Sequence, residues 1–105
     1  FKDEFTMKDK INGIIFSILK DLSEDLENEN LKNPTMRTKI YGVEGNLDSL
    51  ALVGLVSDLE SIIADEFGVD LVLASDKTMS QKNSPFKDVE SLSNYILALM
   101  EKNNA

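Results

Sequence analysis

The stretch GNLDSLALVGLV, residues 45–56, decides how this chain is read. Turn-favouring residues lead through Asp48 and Ser49 into an unbroken apolar run, Leu50, Ala51, Leu52, Val53, Gly54, Leu55 and Val56. Extended by SDLESIIADEF, residues 57–67, the pattern acquires a helical period. Leu59, Ile62, Ile63 and Phe67 form an inner stripe, while Asp58, Glu60, Ser61, Asp65 and Glu66 face outward. A helix is therefore predicted over 49–67, with Asp48 as its N-cap and Gly68 just past its end. In its first two turns apolar residues wrap every face, and only one face can reach a small core. The remainder must meet a partner, a ligand or the preceding loop. Ser49 has two readings at this point: a hydroxyl that caps an orphan N–H of the first turn, or a covalent attachment point or nucleophile.

Working outward, Ile11, Ile14, Ile15, Ile18, Leu19, Leu22 and Leu26 recur every three or four residues and predict an amphipathic first helix over 8–28. Residues 1–6 precede Met7 and read as an expression remnant or a disordered N-terminus, so the domain is taken as 7–105. Residues 28–46 collect Asn28, Asn30, Asn33, Pro34, Gly42, Gly45 and Asn46, which mark a long loop pinned by Leu31, Met36, Ile40, Tyr41 and Val43. VDLVLASD, residues 69–76, reads as an extended connector because one strand has nothing to pair with. A short helix is expected over 76–82, ended by Asn83, Ser84 and Pro85. Asp88 then caps a last helix whose Val89, Leu92, Tyr95, Ile96, Leu99 and Met100 keep the period to about residue 102. The expected fold class is all-α: a small bundle of three main helices plus one short helix, with the long loop between helices 1 and 2.

Composition narrows the chemistry. The 105 residues, 42% apolar and 29% charged, suit one folded domain. No histidine and no cysteine occur, so a Ser-His-Asp hydrolase, a thiol nucleophile and thiolate metal sites are excluded within this chain. Only a serine-lysine pairing created by the fold would leave Ser49 a nucleophile. Nineteen acidic against eleven basic residues give a formal charge of −8, which repels nucleic acid and anionic membranes and attracts basic protein surfaces. Neither a membrane span nor a secretory signal is evident, and a cytoplasmic location is expected.

With these residues in view, the chain resembles the acyl carrier proteins. The resemblance is carried by Asp48-Ser49-Leu50 opening the second helix, by DEFGV (65–69) closing it, and by FKDVESLSNYI (86–96) opening the last, and it covers residues 8–102. It implies that Ser49 bears a 4'-phosphopantetheine arm, drawn from coenzyme A by a phosphopantetheinyl transferase. Asp48 and Leu50 would flank the attachment site, Asp48 orienting it or meeting the transferase and its magnesium ion. The chain itself would hold neither catalytic residues nor a metal site. The missing histidine and cysteine then make sense, because another protein activates the hydroxyl and the arm brings the thiol.

The same resemblance implies acyl groups borne as thioesters for a specialised fatty acid, lipid or polyketide pathway. The partners would be acyl-transfer, acyl-loading or condensing enzymes with basic or apolar docking surfaces, and the carrier a monomer. Val53, Leu59, Ile62, Leu73, Met79 and Ile96 are candidates either for an acyl cavity or for ordinary core. Two departures point to dedicated partners: Ala51 and Gly54 stand where common carriers place acids, and the second helix is about one turn longer. An alternative class is a helical protein-interaction domain that kept the fold and lost the arm.

Overall fold

The computed structural model describes residues 6–42, 45–73 and 84–104. Three α-helices carry the architecture: α1 (Met7–Asp25), α2 (Ser49–Phe67) and α3 (Val89–Asn104), with a 3-10 turn at Glu29–Leu31. Among the described residues no strand occurs, and a single antiparallel bridge joins Lys39 to Asp88. The fold is small and all-α. The expected short helix over 76–82 lies outside the described residues.

The start of α1 is set by a capping box: the Thr6 hydroxyl accepts from the Asp9 N–H, and the Asp9 carboxylate accepts from the Thr6 N–H, both at 3.1 Å. Thr6, set aside on sequence grounds with residues 1–5, thus closes the first turn. The helix buries Ile11, Ile15, Ile18 and Leu19 and stops at Asp25, three residues short of the sequence expectation. Leu26 is exposed there, Glu27 takes a left-handed φ of 53°, and the Asn28 N–H turns back to the Ser23 carbonyl at 2.9 Å. The apolar period continues in sequence, but no core lies beneath it to hold another turn.

Between α1 and α2 the chain is held by its side chains and by α3. Leu31, Ile40 and Tyr41 are buried and Met36 packs against the same core; Val43, the fifth expected pin, lies outside the described residues. The backbone of this segment meets the start of α3: Ile40 N–H donates to Lys87, Tyr41 to Phe86, Val89 to Thr38 and Glu90 to Met36. The bonds from Val89 and Glu90 satisfy donors of the first turn of α3 that would otherwise face solvent or bury unpaired. Leu47 N–H then donates to the Ile40 carbonyl at 2.8 Å and leads directly into α2.

Both α2 and α3 pack on α1, which is the central helix. Among the described residues the α2 and α3 backbones make no comparably close approach; the chain of residues 69–73 is bonded to both instead. Leu73 donates its N–H to the Glu60 carboxylate of α2 at 2.8 Å, and its carbonyl accepts from the Tyr95 hydroxyl of α3 at 3.3 Å. Leu71 and Leu73 are buried, which explains the β-branched, apolar composition of this connector without a sheet. Phe86 is fully buried and meets the Tyr95 ring edge-on at a centroid distance of 6.2 Å. Asp88 caps α3 through the Ser91 N–H at 2.8 Å.

Candidate functional site

The mouth of α2 is built from a division of labour between two adjacent residues. Asp48 holds an extended backbone, φ −85° and ψ −178°, and its carboxylate accepts the Ala51 N–H at 2.8 Å. Its carbonyl accepts from Leu52 at 3.0 Å, the first bond of the helix. The cap position is therefore filled by Asp48. Ser49 is the first helical residue and is exposed, and its hydroxyl has no hydrogen-bond partner among the described residues, lysines included. Nor do the Ser49 and Leu50 N–H groups find an acceptor among them, so two orphan donors face solvent beside a free hydroxyl at the positive end of a 19-residue helix.

This geometry fits a phosphodiester on Ser49. An oxygen-linked phosphate needs an accessible hydroxyl, room around it and N–H donors nearby, and the helix start presents all three. The cap reading of Ser49 from sequence gives way to Asp48, because one carboxylate already takes the N–H that such a serine would cap.

One face of the apolar first half of α2 reaches the core and the rest stays outside, as its sequence suggested. Leu52, Leu55, Val56, Leu59 and Ile63 are buried, whereas Leu50 is 80% and Val53 51% exposed. Val53 lies one turn beyond Ser49 and three residues beyond Leu50, so the two apolar side chains flank the serine on the outer face. Val53 therefore belongs to the surface and lines no interior cavity. Leu59, Leu73 and Ile96 are fully buried members of one continuous core, and Met79 lies outside the described residues. Ile62 is half-buried and lines a groove of about 390 Å³ between α1 and α2, together with Gly13, Ile14 and Phe67. Gly54 is open: a Cβ built on it meets nothing within 4 Å, so it does not serve close approach of a described segment.

Sequence reading missed the groups that hold this mouth in place. Asn46 bonds to Asn28 and Asn30, 18 and 16 residues earlier, and to the Lys39 carbonyl. A single asparagine before a helix signals only a turn, and partners that distant leave no mark on local sequence. Burial pushes the Tyr95 hydroxyl pKa up from its ordinary value. No group of three or more acidic residues among the described residues is arranged to hold a metal ion, and no helix of the described residues is long and apolar enough to cross a membrane. Comparison with protein-family models, with curated proteins and with solved structures found no match.

Proposed function

We propose that this chain is an acyl carrier: Ser49 bears a 4'-phosphopantetheine arm, and the protein presents cargo on it to separate enzymes. The observation that carries the reading is that Asp48 alone fills the cap of α2, leaving the Ser49 hydroxyl exposed and without a partner at a helix N-terminus. The resemblance in Asp48-Ser49-Leu50, in residues 65–69 and in residues 86–96 supports it. So does the all-α order of elements. When attached, the arm supplies a terminal thiol on which acyl groups ride as thioesters.

The chain's own residues position and present. Asp48 fixes the first turn by capping it, and its exposed carboxylate is also the group that would meet a transferase and its magnesium ion. The free N–H groups of Ser49 and Leu50 stabilise negative charge on a phosphate held there. Leu50 and Val53, exposed beside the Ala51 and Gly54 positions where common carriers place acids, give an apolar docking face to dedicated acyl-loading, acyl-transfer or condensing enzymes of a specialised pathway. Residues 69–73, lying between α2 and α3, are where a cargo chain would press into the core. Monomeric action in the cytoplasm is part of the same reading.

A second reading, an interaction domain without an arm, draws on that apolar face alone. Intact mass after incubation with coenzyme A, magnesium and a broad-specificity phosphopantetheinyl transferase separates the two. Gain of one arm by the wild type, and none by Ser49→Ala with helical circular dichroism preserved, supports the carrier. An unmodified wild type, or a modified Ser49→Ala, overturns it.

A further inference from the structure

Asn46 stands two residues before the cap of α2 and is half-buried. Its Oδ1 accepts from the Asn28 and Asn30 side-chain amides, each at 3.2 Å, and its Nδ2 donates to the Lys39 carbonyl at 2.7 Å. These partners belong to two parts of the fold, the 3-10 turn that follows α1 and the segment that meets the start of α3. Asn28 closes the end of α1, its N–H on Ser23, and its own Oδ1 caps the 3-10 turn through the Asn30 N–H at 2.9 Å. Lys39 is bridged to Asp88, which caps α3. The residue after Asn46, Leu47, is bonded to Ile40 and hands the chain to Asp48 and Ser49. One side-chain amide therefore ties the end of α1 and the start of α3 to the start of α2.

We propose that Asn46 is the positioning residue for Ser49: its three bonds hold the approach to α2 in the single arrangement that a modifying enzyme recognises. This rests on the carrier reading above. The chain that precedes Ser49 has no helix of its own to hold it, and hydrogen bonds supply the order. Without them the approach samples several arrangements, and an enzyme that takes only one sees a reduced competent fraction. Apparent affinity falls by that fraction, while turnover of the bound complex is unchanged. A purely structural staple would instead lower thermal stability and leave the kinetic constants alone at temperatures where the protein is folded.

The test is transferase kinetics on the apo protein, with coenzyme A saturating and carrier concentration varied, alongside thermal melts. Asn46→Ala is expected to raise KM about five- to tenfold at near-constant kcat, at a temperature where circular dichroism shows it folded. Asn30→Ala removes one donor from an exposed side chain and should raise KM less, and the double variant should match Asn46→Ala because both act through one network. If Asn46→Ala does not fold, Asn30→Ala carries the test alone. A wild-type KM in folded Asn46→Ala, or a fall in kcat at unchanged KM, overturns the positioning role. Wild type that is never modified overturns the carrier reading and this one with it, whereas modified wild type with an indifferent Asn46→Ala overturns this one only.

Discussion

Adding one methyl group at two glycines should move stability in opposite directions, because the structure surrounds them differently. Gly54 lies in the interior of α2, exposed, and a Cβ there meets nothing within 4 Å. Gly54→Ala therefore gains helix propensity without a clash, about 0.5–1 kcal/mol. A domain of this size shifts by roughly 4–8 °C per kcal/mol, so Tm should rise by about 2–8 °C. Gly45 faces the opposite situation. A Cβ there would stand 2.7 Å from both the carbonyl carbon and the Cα of Tyr41 and 2.9 Å from the Gly42 nitrogen, all backbone atoms. Carbon atoms rest at about 3.5–4.0 Å, and backbone cannot swing aside as a flexible side chain can. Gly45→Ala should cost about 1–3 kcal/mol, by analogy with overpacked cores, and lower Tm by about 4 °C or more. Differential scanning calorimetry of the wild type and both variants reads these shifts directly. A lower Tm for Gly54→Ala would mean that the outer face of α2 is covered, and an unchanged Tm for Gly45→Ala would refute the close approach of Gly45 to Tyr41 and Gly42.

Two further outcomes are expected. With an elongation enzyme whose basic surface docks acidic carriers, Val53→Glu combined with Gly54→Glu should lower the KM of the modified protein, and high salt should remove the gain; the acids belong at these exposed positions because Ala51 packs on the core. Wild-type turnover equal to that of a common carrier would defeat the claim of dedicated partners. Tyr95→Phe removes the hydroxyl bond to the Leu73 carbonyl and should cost about 0.5–1.5 kcal/mol at neutral pH. Burial raises the Tyr95 pKa, so the unfolded chain loses this proton first and the folded state binds more protons above pH ~10. Wild-type stability should therefore fall as pH rises through that range, and Tyr95→Phe should fall less steeply; equal slopes in denaturant titrations would dismiss the contribution.

Local sequence alone determined the parts of this protein that depend on nearest neighbours along the chain. The second helix over 49–67, its Asp48 cap, the left-handed Gly68 at its end with φ of 67°, and the Asp88 cap of α3 are all legible because caps and the 3.6-residue period act within one or two turns. The same local signals could not decide where α1 stops, since Leu22 and Leu26 keep the period and only the absence of core beneath Leu26 ends the helix.

Tertiary structure decided everything that turns on which neighbour arrives. In residues 50–56 every position is apolar or glycine, so periodicity offers no preferred face; packing on α1 buried Leu52 and Leu55 and left Leu50 and Val53 in solvent beside Ser49. Val53, a candidate from sequence for an acyl cavity or for ordinary core, lies on the surface for that reason. Asp48 and Ser49 are both good caps by residue type, and the Asp48–Ala51 bond resolved which of the two caps α2. Asn46 joins three helix ends through partners up to 18 residues away, and Leu73 joins Glu60 to Tyr95 across α2 and α3. Hydrogen bonds across such separations depend on the fold bringing the groups within about 3 Å, and composition and spacing carry no record of that distance.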